Sequence, residues 1–175
     1  MGILICGLNG SGKSTLGCAL AENLGWRFID NEDLYFPKDD PDDLFARQRP
    51  QEEVERLLLE AVRQDERFVF AAVKGNYGAE VLPYYERAVL VEIPRELRLK
   101  RVQQRSLDRF GERAMPGGDL YGREKWFFDH ISARPEDYAV RWLDTLDVPV
   151  LRVDGTKPVQ ENVGRITAWL KGGQS

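Results

Sequence analysis

Gly7-Leu8-Asn9-Gly10-Ser11-Gly12-Lys13-Ser14-Thr15 fits the pattern G-x-x-x-x-G-K-[ST], and each fixed position has a physical job. Gly7, Gly10 and Gly12 lack a Cβ, so the backbone can take positive φ and turn its N–H groups inward. Those donors form a concave nest for a di- or triphosphate, and a helix beginning near Lys13 adds the positive end of its dipole. In such a nest Lys13 reaches the β- and γ-phosphates, and the Ser14 hydroxyl ligates Mg²⁺. Asn9, Ser11 and Thr15 complete the expected phosphate-binding stretch.

The flanking residues supply the required context. An apolar run, Gly2-Ile3-Leu4-Ile5-Cys6, precedes the loop, and the helical pattern Leu16, Ala19, Leu20, Leu24 follows it. Strand, loop and helix in that order make this a P-loop. Further along, Trp26-Arg27-Phe28-Ile29 reads as a short strand ending in acid, Asp30-Asn31-Glu32-Asp33. Helical spacing of Val54, Leu57, Leu58, Ala61 and Val62 predicts a helix over 51–64. Arg67–Val73 is a continuous apolar run of the kind a buried central strand needs, and it leads into Lys74-Gly75-Asn76. Strands are also predicted over 87–93 and 148–153, with a closing amphipathic helix carrying Val159, Val163, Ile166 and Leu170.

Pro94 opens the helix after strand four, with Leu97, Leu99 and Val102 expected inward and Arg98, Arg101 and Arg105 recurring at helical spacing. Residues 106–122 are rich in glycine and charge and read as a lid. The aromatic positions Trp126, Phe127, Tyr138 and Trp142 predict two helices broken at Pro135, with their rings read as core rather than as a base-stacking platform. His130, the sole histidine, reads as structural or exposed. Alternating strands and helices predict a doubly wound α/β domain over 1–175, with a substrate-binding segment at 34–64.

Composition narrows the function. The chain has 25 Lys plus Arg against 29 Asp plus Glu, a net charge of −4, which argues against extended binding to a nucleic acid backbone. No apolar run approaches the roughly twenty residues a membrane helix needs. Met1 leads directly into the first strand, and Cys6 and Cys18 lack metal-ligand spacing. Together these predict a cytoplasmic protein with reduced cysteines, acting on a small molecule as a monomer or homodimer.

These motifs resemble the nucleoside-monophosphate kinase and shikimate kinase group of P-loop phosphotransferases, and more narrowly the small kinase-like ATPases of bacteria grouped as AAA-family ATPases. The early P-loop, the acid at the end of strand two, Pro94 with Leu97, Arg101 and Arg105, and Val153-Asp154-Gly155 followed by Pro158 carry the resemblance. It implies a three-layer P-loop NTPase fold with a five-stranded parallel sheet in the order 2-3-1-4-5, helices on both faces and a mobile lid. It also implies ATP with Mg²⁺ as the phosphoryl donor. The pattern departs at Asp30-x-x-Asp33, where shikimate kinases carry Asp-x-Asp, and at Lys74-Gly75-Asn76, where they carry three glycines. These departures leave the acceptor open: a nucleoside or nucleotide first, a sugar acid or antibiotic second, or a nucleotide-dependent switch without an acceptor.

Under that resemblance Ser14 and Asp30 hold the metal, Asp30 through water. Asp33 receives the hydrogen bond or proton of the attacking hydroxyl. Helix capping or loop solvation is the competing role for both aspartates. By position Arg47, Arg101, Arg105, Arg109 and Arg113 meet substrate anions and transferring phosphates, with a solvated helix face as the alternative. Arg105 and Arg109 act with Lys13 at the reacting phosphate, while Arg101, Gly155, Lys157 and Pro158 lie on the nucleotide side. Asp33, Arg47, Lys74 and Gly75 are expected at the acceptor.

Overall fold

A computed structural model of the protein describes residues 1–37 and 47–172. Residues 38–46, part of the expected substrate-binding segment, lie outside the described residues. The elements run β1 (Gly2–Cys6), α1 (Lys13–Leu24), β2 (Arg27–Asp30), α2 (Asn31–Tyr35), α3 (Gln51–Gln64), β3 (Phe68–Ala72), β4 (Tyr85–Glu92), α4 (Arg95–Phe110), α5 (Tyr121–Ser132), α6 (Tyr138–Leu143), β5 (Val150–Asp154) and α7 (Val159–Gly172).

The five strands form one parallel sheet in the order β2-β3-β1-β4-β5. Because side chains alternate across a strand, β1 sends Ile3 and Ile5 to one face and Leu4 and Cys6 to the other. Ile3 and Ile5 pack with Leu16 and Leu20 of α1 and with Val163, Ile166 and Leu170 of α7. Leu4 and Cys6 pack with Val54, Leu58 and Val62 of α3 and with Ala139 and Leu143 of α6. Each fully buried Leu or Ile in these layers contributes about 1.5–3 kcal/mol relative to exposure. Helices therefore cover both faces, as expected of a parallel sheet. Helix α1 stops at Gly25, which takes φ 67°, and the Trp26 N–H closes back on Ala21 O at 2.9 Å.

The chain moves outward from β1 in both directions, so β1 and β3 flank the point where the strand order reverses. Cys6 pairs with Ala72 across them. The P-loop and the Val73–Lys74 segment therefore leave the sheet side by side, where ligands bind in folds of this kind.

Two expectations change. Helix α4 continues to Phe110, so the first part of the expected lid is helical, followed by a 3₁₀ turn at Gly111–Ala114. On α4 the buried positions are Arg98 and Val102, while Leu97 and Leu99 are only half-buried. The reason is a partner. Arg98 is 2% exposed and donates to Glu136 Oε1 from Nη2 at 2.6 Å.

Candidate active site

The loop between β1 and α1 bends through Gly10 (φ 85°) and Gly12 (φ 91°). A Cβ on Gly10 would lie 2.2 Å from the Arg98 carbonyl oxygen, so only glycine lets the loop seat against α4. Gly12 occupies the N-cap of α1 and has no side chain to satisfy the first-turn amides, and that turn holds no acidic residue. The amides and the dipole are left for an anion. Burial pushes the Lys13 ammonium below the ordinary lysine range, opposed by the nearby Asp30 carboxylate. Ser11 is 2% exposed, and its hydroxyl has no hydrogen-bond partner among the described residues. A triphosphate fits this cradle.

Asp30, the last residue of β2, does two things. Its Oδ1 accepts from the Glu32 N–H at 2.8 Å, which caps α2, and its side chain lines the same cavity as Lys13 and Ser14. Among the described residues no group of three or more His, Cys, Asp or Glu is arranged to hold a metal. Ser14 and Asp30 suit Mg²⁺ bound mostly through phosphate oxygens and water, which is how that ion is commonly held beside nucleotides.

A cavity of about 670 Å³ opens beside the P-loop. Asn9, Lys13, Ser14, Asp30, Lys74, Arg105 and Arg109, all singled out in the sequence, line it. Several other expected residues do not. Asp33 is exposed on α2, and Glu32 stands on the wall instead, 3.4 Å from Arg109 Nη2. Arg47 is exposed and outside the wall. Gly75 is buried, and a Cβ there would lie 2.7 Å from Leu4 and from Trp142, so its immediate surroundings are core.

Away from the cavity lining, both terminal nitrogens of Arg101 lie 3.4 Å from Gly155 O. A Cβ on Gly12 would stand 3.8 Å from Arg101 Nη1, so Gly12, Arg101 and Gly155 come together. Lys157 and Pro158 follow on the exposed turn after β5. Gly7 and Ser11 close the floor of the loop, where a Cβ on Gly7 would lie 2.5 Å from Ser11 Oγ. Thr15 is exposed. Arg113 pairs with Asp119 at 2.8 Å within the lid segment.

The wall also holds Arg134, which the sequence reading passed over, with Tyr138, Trp126 and His130, which it read as core or structural. Lys74 Nζ sits 4.2 Å from the centroid of the Tyr138 ring, and the Arg134 guanidinium carbon sits 5.0 Å from it. The hydrogen bond from Lys74 is the main cause holding the Tyr138 phenol below its ordinary range. Arg134 Nη1 donates to Asn9 Oδ1 of the P-loop at 3.0 Å, and Nη2 lies 3.3 Å from His130 Nε2. Burial pushes the Arg134 guanidinium down from its ordinary value. Trp126, expected in the core, is 67% exposed on the cavity wall, while Trp142 packs against the core as expected. The spacing of 126 and 130 was a visible signal, since it places the two residues on one stripe of α5, with Arg134 just beyond its end. Neutral hydrogen-bonding groups also line it, among them Asn31, Tyr35, Gln48, Gln51 and Asn76.

Comparison with known proteins fits this geometry. The chain is 28% identical over 176 residues to the uncharacterized protein YqaC of Bacillus subtilis (strain 168), covering 96% of each chain. Among solved structures it shares its fold with shikimate kinase from Aquifex aeolicus vf5, at 21% identity and a TM-score of 0.57, covering 99% of this chain and 98% of that one. It shares it equally with deoxyadenosine kinase from M. mycoides with bound dATP, at 15% identity and a TM-score of 0.60, covering 98% and 100%. A family model described as an AAA domain matches residues 3–113, from β1 and the P-loop through α4 into the lid. With the P-loop, four of the five strands (β1 to β4) and α4 inside that match, the chain belongs to the AAA domain family.

Proposed function

We propose that the protein is an ATP-dependent phosphotransferase that moves the γ-phosphoryl group of ATP to a small metabolite, a nucleoside or nucleotide first, with the anionic nucleotide favoured over the neutral nucleoside. The observation that carries this reading is the charge left over on the cavity wall. Lys13 faces Asp30, Arg109 pairs with Glu32 and Arg123 with Glu124. Among the described residues Lys74 and Arg134 contact a tyrosine ring, an asparagine and a histidine rather than a carboxylate. Half-buried cations without counter-ions are costly unless a ligand supplies the negative charge. Lys13, the P-loop amides and Arg105 account for the donor phosphates, which leaves Lys74 and Arg134 for an anion on the acceptor.

Phosphoryl transfer asks the protein for position and charge neutralisation more than for covalent help. In this reading the P-loop amides and Lys13 hold the β- and γ-phosphates, and Ser14 and Asp30 carry the Mg²⁺. Glu32 replaces Asp33 as the group that receives the acceptor hydroxyl's proton, because Glu32 lines the cavity and Asp33 does not. The acceptor oxygen bonds to the γ-phosphorus, the bond to the bridging oxygen breaks, and ADP leaves. Arg105 and Arg109 stand where charge spreads over the transferring oxygens.

A sugar-acid acceptor is the second reading, favoured by the neutral groups Asn31, Gln48, Gln51 and Asn76 that could serve several hydroxyls. The test is ADP release from Mg·ATP with a panel of nucleosides, nucleotides and sugar acids. Stimulation well above basal hydrolysis by at least one anionic acceptor, abolished by Lys13→Ala, is the expected result. Turnover that never rises above the basal rate, or that survives Lys13→Ala, would sink the proposal.

A further inference from the structure

We propose that Trp126, backed by His130, is a stacking wall for a planar ring on the acceptor, which makes a nucleobase-bearing anion the substrate class. This rests on reading the cavity as a phosphotransferase site. Trp126 is 67% exposed, more than Leu107, Met115 or Val150, the other exposed large apolar side chains among the described residues. Its ring is nearly parallel to that of His130, at 14° with centroids 5.4 Å apart. One face of the indole is therefore held flat, and its exposure leaves the other face to the cavity that it lines.

A single exposed tryptophan on an ordinary surface needs no explanation. This one is tied to the phosphate site by direct contacts. His130 Nε2 lies 3.3 Å from Arg134 Nη2, and Arg134 Nη1 donates to Asn9 Oδ1 of the P-loop at 3.0 Å. The platform is also firmly based, because Ile131 is 1% exposed under α5 and Ser106 of α4 donates to Glu124 at 2.8 Å. Arg134 lies two residues beyond the end of α5, and it lines the same cavity as Trp126 and Lys74. An anion at Lys74 and Arg134 and a ring on Trp126 can then belong to one molecule. A sugar acid would satisfy the cations and leave the indole uncovered.

Stacking of a base on an aromatic side chain is sequence-tolerant and is lost on truncation to alanine. Trp126→Ala should therefore raise KM for a nucleoside monophosphate acceptor about tenfold or more. Trp126→Phe, which keeps an aromatic face, should recover most of that loss. KM for ATP should move by less than about twofold in either variant, because Arg101 and Gly155, expected beside the donor nucleotide, are not on the wall that Trp126 lines. Nucleoside monophosphates should also quench the tryptophan emission of the wild-type protein saturably, and Trp126→Phe should abolish that quenching. A nucleotide acceptor whose KM is unchanged by Trp126→Ala would overturn the proposal. So would sugar acids that turn over in wild-type protein and Trp126→Ala alike, which leaves the phosphotransferase reading standing. Saturable Trp126-dependent quenching by nucleotides that stimulate no ADP release would do the reverse, upholding the wall while refuting the phosphotransferase. A sedimentation coefficient that rises with protein concentration and loses that rise in Trp126→Ala would assign the ring to a second copy of the chain, against the proposal.

Discussion

Removing the carboxylate of Glu136 should destabilise the protein in a way that depends on pH. Arg98 is 2% exposed, and its Nε and Nη2 lie 3.5 and 2.6 Å from the two oxygens of Glu136. Arg95 donates to Glu136 Oε1 as well, at 2.9 Å. Glu136→Ala would leave Arg98 buried and unpaired near the positive charge of Arg134, which already acts on it. Breaking a fully buried pair costs about 3–5 kcal/mol. The Glu136 side chain is itself 50% exposed, so water can follow the missing carboxylate, and screening lowers the expected loss to about 2 kcal/mol. For a chain of this size that is a fall in Tm of about 4–8 °C.

The pH dependence fixes the sign. Burial raises the Glu136 carboxyl, but hydrogen bonds from Arg98 and Arg95 outweigh it and hold the group below its ordinary value. A carboxyl depressed in the folded state contributes stability that is present above its unfolded pKa and lost as pH falls through the folded one. The gap in Tm between wild type and Glu136→Ala should therefore be full at pH 7 and shrink below about pH 4. Glu136→Gln, which keeps one acceptor oxygen, should fall between the two. Calorimetry or circular dichroism across that range reads all three proteins. A gap of under about 1 °C at pH 7, or one that stays constant down to pH 3, would refute the assignment.

Gly10→Ala should weaken nucleotide binding by more than about tenfold, since a left-handed φ alone costs about 1–2 kcal/mol before the Cβ meets the Arg98 carbonyl at 2.2 Å; calorimetric titration with an ATP analogue showing normal affinity would contradict it. Glu32→Gln should lower kcat by about a hundredfold or more, while Asp33→Asn should change it by less than about threefold; steady-state kinetics showing the reverse order would return the proton to Asp33. Lys74→Ala and Arg134→Ala should each raise KM for the acceptor about tenfold, with the double variant short of the product because both cations meet the same Tyr138 ring; unaffected KM values would remove the anion from this corner.

The sheet and the P-loop were legible because they rest on local rules. An apolar run, a glycine loop and a helix of period 3.6 locate the P-loop without knowledge of any neighbour. The strand at 67–73 was readable for the same reason, since a parallel central strand is apolar on both faces and β3 is fully buried. The cavity wall around Lys74 and Tyr138 was not, because its residues meet only in space. Lys74 leaves β3 and Tyr138 begins α6, and nothing in either segment says that one covers the other. Glu32 and Asp33 are adjacent in sequence, and the one-residue difference that puts the first on the wall depends on where Asp30 starts the cap of α2. Trp126 was read as core because aromatic residues at helical spacing usually are, and α5 places that stripe at a cavity edge.

The arginines of α4 make the same point about charge. At three- and four-residue spacing, Arg98, Arg101, Arg105 and Arg109 look like a solvated stripe, and a solvated stripe would have no fixed partners. In the fold each reaches a different part of the molecule. Arg98 binds Glu136 beyond α5, Arg101 meets Gly155 after β5, Arg105 stands on the cavity wall near Lys13, and Arg109 meets Glu32 on α2. The backbone oxygen of Arg98 also lies under Gly10. One helix thus touches the P-loop, the turn after β5 and the cavity wall at successive turns. A shift of α4 along its axis would disturb all three together, because packed elements move as units rather than deform. Periodicity locates such a ladder in the sequence, but only the fold shows that its rungs lead to separate places.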